Sequence, residues 1–205
     1  MSRLPPDITR AVTYIKVETT IDAPPGTVWN VLLDFPAYPI WNPFVRSQAI
    51  TDSSFRPLLD HPQPSEGAYI AMRVRVPPRG LDDNDKGLRA SKEVVTFVDV
   101  KNHRIVWEQV GLPKWLIRAE RWQEVTEEQD DGKSSTKYMT IEVRFSTRLN
   151  LILDAINGIF KIIFQVFHGP GAWFVRLFMH ANLMKSFQAM ADGLKKHAEG
   201  LAAST

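Results

Sequence analysis

The chain has 205 residues, enough for a single domain built around one core. It contains no cysteine, which excludes disulfides, thiolate metal sites and cysteine nucleophiles and favours an intracellular, cytoplasmic setting. Its 25 basic and 23 acidic residues leave a net +2 and are interleaved, so there is no electrostatic footprint for nucleic acid.

The opening MSRLPPDITR lacks an apolar core of signal-peptide length, and residues 1–11 read as a tail. No apolar run reaches the ~18 residues of a membrane span. From Val12 to Ile21 the chain alternates, with Ile15, Val17, Thr19 and Ile21 on one side, the period of a half-buried strand. Asp22 is placed to cap a short helix that carries Pro24 and Pro25 in its first turn and ends near Asp34. Pro36, Pro39 and Pro43 then cut the chain into tight turns around Tyr38 and Trp41.

Residues 44–51 predict a second strand, followed by a proline-bearing loop over Ser53 to Glu66. Ala68, Ile70, Met72, Val74 and Val76 alternate against Tyr69, Arg73 and Arg75, giving a third strand with an apolar inner face. Lys92 to Val100 and Arg104 to Gln109 flank the Lys101-Asn102-His103 turn, with Ile105 and Trp107 on one face. Ile117 to Val125 predicts a sixth strand, the run Glu127 to Lys133 a hairpin loop, and Tyr138 to Phe145 a seventh strand. In that last strand Met139, Ile141, Val143 and Phe145 are expected to point inward, and Thr140, Glu142 and Arg144 outward.

A long helix from about Ala172 to Leu201 follows the Gly169-Pro170-Gly171 break. Its apolar stripe reads Trp173, Leu177, His180, Met184, Phe187, Ala191, Leu194 and Ala198, and its polar side Arg176, Asn182, Lys185, Gln188, Asp192 and Lys195. The elements add up to one α+β domain spanning 1–205, a curved antiparallel sheet of seven strands gripping the C-terminal helix.

The run IDAPPGTVWNVLLDFPAYPIWNPFV (21–45), the pair of strands VVTFVDVKNHRIVWE and the terminal FQAMADGLKKHAE (187–199) resemble the START-like, Bet v 1-like superfamily. The likeness is nearest to its polyketide cyclase/dehydrase and CoxG-like branch. It implies a helix-grip fold with a cavity between sheet and helix. Members bind lipids, sterols, quinones, hormones or polyketides, and a minority catalyse cofactor-free cyclisation, aromatisation or dehydration. Carried over by position, the resemblance places Trp41, Asn42, Met72, Val74, Trp107, Trp122, Ile141, Trp173, Leu177 and His180 around the cavity; Met184, on the helix stripe, is a further ligand contact or core filler.

The chain departs from the pattern between strand seven and the long helix. There Asn150, Asp154, Asn157, Lys161, Gln165 and His168 form a thin polar stripe on an otherwise apolar inserted helix, 149–168. Such a face suits a lid over the pocket mouth, a homodimer interface or a membrane surface, the last least well because its polar stripe holds a single lysine.

Two side chains are candidates for proton transfer. His180, on the gripped face, serves either as a general acid/base, the role histidine chemistry suits, or as a hydrogen-bonded core histidine. Glu120 shares strand parity with Trp122, so it either points inward as a buried acid/base or pairs at the sheet surface with Arg118 or Arg121. Asn42 orients a ligand carbonyl or holds its turn. The five histidines are scattered, no H-x-x-x-H or H-E-x-x-H spacing occurs, and no nucleotide-binding or nucleophile-elbow motif is present, so neither a metal nor another cofactor is expected.

The functional expectation is a cofactor-free cyclase, dehydratase or isomerase acting on an apolar polyketide- or terpenoid-like intermediate, with His180 and Glu120 as the acid/base pair. The alternative is a non-catalytic carrier of a lipid, quinone or sterol. A pocket in which titratable groups converge favours the first, and an all-apolar pocket the second.

Overall fold

The computed structural model describes residues 4–6, 13–58, 60, 62–81, 87–111, 118–130, 133–145 and 170–204, with backbone alone at 170–179 and at a few strand ends. The inserted segment 149–168, and with it the lid, dimer and membrane readings, lies outside the described residues, as does most of the tail.

Seven strands form one antiparallel sheet: β1 Thr13–Ile21, β2 Val45–Thr51, β3 Tyr69–Arg75, β4 Leu88–Asp99, β5 Arg104–Gln109, β6 Arg118–Asp130 and β7 Lys133–Phe145. Their order across the sheet is β1-β7-β6-β5-β4-β3-β2, so the first strand closes back on the last. Between β1 and β2 lie α1 Pro25–Leu33, a 3-10 turn at Phe35–Ala37 and α2 Tyr38–Trp41. The chain ends in α3, Pro170–Ala203. This is the α+β helix-grip architecture.

The proline-rich start of α1 needs no side-chain cap. Pro24 itself occupies the N-cap position, and Asp22, expected to cap, instead donates its backbone N–H to Glu199 Oε1 at 2.9 Å. That bond and Lys195 Nζ to the Thr20 carbonyl (2.8 Å) tie the C-terminal half of α3 to the end of β1. Gly193 lets α3 approach closely, since a Cβ there would collide with the Trp41 carbonyl oxygen.

The main core lies between the sheet and the helices: Ile15, Val17, Ile21, Ile70, Met72, Val95, Ile105, Trp107, Val125 and Tyr138 meet Val28, Leu32, Phe187, Met190, Leu194 and Ala198. The inward faces expected for β1, β3 and β5 are therefore the observed ones. On α3, Phe187, Ala191, Leu194 and Ala198 are buried as expected, but the buried arc turns toward Ser186 and Met190. Met184 consequently stands at the exposed margin, 36% accessible, while Asn182, expected on the polar side, is buried.

The register corrects β6 and β7. Arg121 pairs with Glu142 and Trp107, Gln123 with Thr140, and Val125 with Tyr138, so these odd β6 positions and even β7 positions face the helices. Trp122 and Ile141 leave the sheet on the opposite face, where they join Val106 and Val143 with Phe97 and Met139 in a second apolar cluster. Both faces of this part of the sheet are buried, and the more apolar one faces away from the helix.

Candidate functional site

A pocket of about 500 Å³ opens between β3–β7 and α3, walled on its apolar side by Phe44, Val74, Val76, Ala119 and Leu183. Its polar side holds Arg89, Ser91, Glu93, Arg121, Glu142, Arg144 and Asn182. Strand alternation builds this set: Glu93 on β4, Arg121 on β6 and Glu142 on β7 project from the same face of adjacent or next-adjacent strands.

Arg121 is at its centre. Nη2 donates to Glu142 Oε2 at 2.9 Å, and the guanidinium carbon lies 4.6 Å from the Phe187 ring centroid, 5.5 Å from Phe44 and 6.0 Å from Trp107. Three aromatic rings thus surround one cation. Nε and Nη1 are buried, and neither has a hydrogen-bond partner among the described residues. Burial alone would lower the guanidinium pKa, but Glu142 and Glu93 more than offset it, so Arg121 stays charged.

The two carboxyls beside it are driven apart. Burial pushes Glu142 up, but Arg121 and Arg144, which donates to Glu142 Oε1 from Nη2 (2.8 Å) and Nε (3.0 Å), outweigh it and hold Glu142 below the usual carboxylate range. Burial also pushes Glu93 up. Arg121 opposes this only partly and Glu142 adds to it, so Glu93 titrates above its ordinary value. Ser91 Oγ donates to Glu93 Oε1 at 3.1 Å. One carboxyl is held ionised as a counter-ion, and the other holds its proton more tightly than an exposed glutamate.

Deeper along the same face, Tyr138 Oη donates to Gln123 Oε1 at 2.8 Å, and burial raises the phenol so that it stays protonated. Trp107 Nε1 and Gln123 Nε2 are further buried donors with no partner among the described residues.

The residues expected at the site divide three ways. Val74 lines the pocket, and Trp107 backs it beneath Arg121. Met72 is core, and Trp41 packs edge-on to Tyr38 and borders a separate 310 Å³ hollow with His197. Asn42 Oδ1 accepts from the Phe44 and Val45 N–H groups, which holds the turn into β2. Trp122 and Ile141 lie across the sheet, and Met184 is at the helix margin. The side chains of Trp173 and Leu177 lie outside the described residues.

Of the two expected proton-transfer residues, Glu120 lines the pocket that holds Arg121 and His180 does not. His180 is half-buried outside the pocket, its Nε2 3.2 Å from the Tyr14 carbonyl oxygen of edge strand β1. Glu120 borders the pocket at its own β6 position, but it shares the strand parity of Trp122, and its cross-strand partners are Glu108 and Val143. The residues that sequence reasoning passed over are Arg121, Glu142 and Glu93. Their signal was charge on the face of β6 and β7 opposite to the one that carries Trp122, Ile141 and Val143.

No group of three or more histidine and carboxylate side chains is placed to hold a metal among the described residues, and no described helix is long and apolar enough to cross a membrane.

Sheet, gripping helix and polar-headed pocket together define a START-like, Bet v 1-like domain. Within that class the chain belongs to the family described as polyketide cyclase / dehydrase and lipid transport, whose model matches residues 13–199. It is 27% identical over 201 residues to the oxopyrrolidines biosynthesis cluster protein O of Penicillium oxalicum, covering 92% of this chain and 87% of that protein. Among solved structures it is similar to the Zhui aromatase/cyclase from Streptomyces sp. R1128, with a TM-score of 0.57, 13% identity, and 91% of this chain and 93% of that one covered. It is also similar to the di-domain ARO/CYC BexL from the BE-7585A biosynthetic pathway, with a TM-score of 0.56, 19% identity, and 91% of this chain and 50% of that one covered. At these identities the structural likeness shows the fold.

Proposed function

We propose that this chain is a cofactor-free cyclase/dehydratase that folds a polyketide-like intermediate in the pocket and closes a ring in it. The observation that carries the reading is the Arg121 guanidinium, buried among three rings with two N–H groups lacking partners among the described residues. A chain with oxygen on alternate carbons presents carbonyl oxygens along its length, and these become enolate or alkoxide during closure. A fixed cation in an aromatic, low-dielectric wall is suited to hold that developing charge. Confinement between Phe44, Val74 and Leu183 supplies the folded shape in which the reacting carbons meet.

The family membership, the aromatase/cyclase neighbours and the relative from a biosynthesis cluster support the same reading. Carriage of a lipid, quinone or sterol is the second reading, favoured by the aliphatic part of the wall and by the lipid-transport arm of the family description.

The test uses a linear 3,5,7-triketo acyl N-acetylcysteamine thioester, which cyclises unaided to several rings. With the protein present, chromatography and mass spectrometry are expected to show faster conversion and one dominant dehydrated ring. Unchanged rate and product ratio, alongside retention of a co-purified lipid, would establish carriage instead.

A further inference from the structure

Resting on that reading, we infer that Glu93 is the proton carrier of the ring closure, taking a proton from the substrate carbon and returning it to the departing oxygen. Three carboxyls line the pocket with Arg121 among the described residues: Glu142 is bonded to both Arg121 and Arg144, Glu120 has the β6 parity opposite to Arg121, and Glu93 lies on the Arg121 face outside those ion pairs. Its carboxyl is buried, accepts a hydrogen bond from Ser91 and belongs to the same wall as the open N–H groups of Arg121. A substrate oxygen resting on Arg121 therefore places the adjacent, acidified C–H within the compass of Glu93.

The chemistry balances without a co-reactant. Glu93 carboxylate removes a proton from a carbon between two carbonyls, and the electron pair moves to the oxygen facing Arg121 as enolate. The enolate carbon attacks a distant carbonyl carbon of the same chain, one C–C bond forms, and the new alkoxide is protonated by Glu93. Removal of a second α-proton by the same carboxylate, and its delivery to the hydroxyl, expels one water. Glu93 ends ionised as it began, and nothing is oxidised or reduced.

The charges facing Glu93 set its working range. Arg121 approaches from β6, where Glu120 also lines the pocket, and Glu142 and Arg144 from β7; Gln109 is its partner on β5 and Ile70 on β3, Ser91 and Arg89 share β4, and Asn182 faces the pocket from α3. Since burial with Glu142 nearby outweighs Arg121, the carboxylate needed for the first step is lost at a higher pH than for a solvent-exposed glutamate.

The experiment compares wild type, Glu93→Gln, Glu93→Asp and Ser91→Ala on the triketo thioester across pH, with circular dichroism as the folding control. Wild type should show a rate that falls at acid pH. Glu93→Gln keeps an acceptor for Ser91 and should remain folded, yet lose at least about 100-fold in closure rate together with that acid limb. Glu93→Asp should retain the limb at a reduced rate, and it carries the test should Glu93→Gln not fold. Ser91→Ala should move the limb to higher pH by removing a donor to the ionised carboxyl. A folded Glu93→Gln with the wild-type rate and pH profile, or a Glu93→Asp with no rate loss, overturns the inference while leaving the cyclase reading intact. A wild type that does not accelerate closure overturns both.

Discussion

At Arg121, burial and charge pull in opposite directions. Removing a guanidinium and a carboxylate from water costs several kcal/mol per ion, and a buried pair of this kind is often no more stable than an apolar replacement. Its value is therefore sought in chemistry rather than in stability. The pair nevertheless leaves a thermodynamic signature. Glu142 titrates lower in the fold than in the unfolded chain, so its ionised form stabilises the fold above the ordinary value of 4.5, and that stability vanishes as pH falls through the folded value. Glu93 has the opposite sign: its contribution is complete below 4.5 and is lost as pH rises through its raised folded value. Thermal melts between about pH 3 and about pH 7 should accordingly show Glu142→Gln less stable than wild type near neutrality, with a flatter acid decline. A Glu142→Gln protein with the wild-type acid profile would remove Glu142 from the network. The sequence named Glu120 as the acid/base and Arg121 only as its partner; both line the pocket, from opposite parities of one strand, and a one-residue step exchanges one face for the other.

The elements were legible where apolar residues face the helix. In β3, Ile70 and Met72 alternate with exposed Arg73, and in β5, Ile105 and Trp107 pass beneath the helices, so the apolar side and the inner side coincide. In β6 and β7 they do not. Trp122, Ile141 and Val143 form the apolar side, while Arg121, Gln123, Thr140 and Glu142 occupy the side toward the pocket, the kind of local inconsistency expected at a functional site. Periodicity reports which residues share a face, but not which face meets the pocket. The distinction has a measurable consequence. Trp122→Ala should cost roughly 3–5 kcal/mol in a denaturant titration by emptying the outer cluster. It should leave the ring distribution from the triketo thioester unchanged, because the pocket lies across the sheet. An altered ring distribution at preserved stability would place Trp122 on the pocket side after all.

The whole molecule is a wall wrapped around one helix, and its order of elements was readable because each carries its own signal: alternation in the strands, prolines at the turns after α1, and a Pro-Gly pair opening α3. What no local pattern contains is the meeting of β4, β6 and β7 at one point, since Glu93, Arg121 and Glu142 are brought together only by the sheet order. The central claim is that this meeting point handles a carbonyl oxygen. Its most direct measurement is the ring-closure rate of the triketo thioester with wild type and with the Arg121→Gln/Glu142→Gln double variant, which removes both buried charges together and leaves only the solvent-reachable Arg144 without its carboxylate. The account predicts a folded double variant slower by about 10²–10³-fold. A folded double variant as fast as wild type would contradict it.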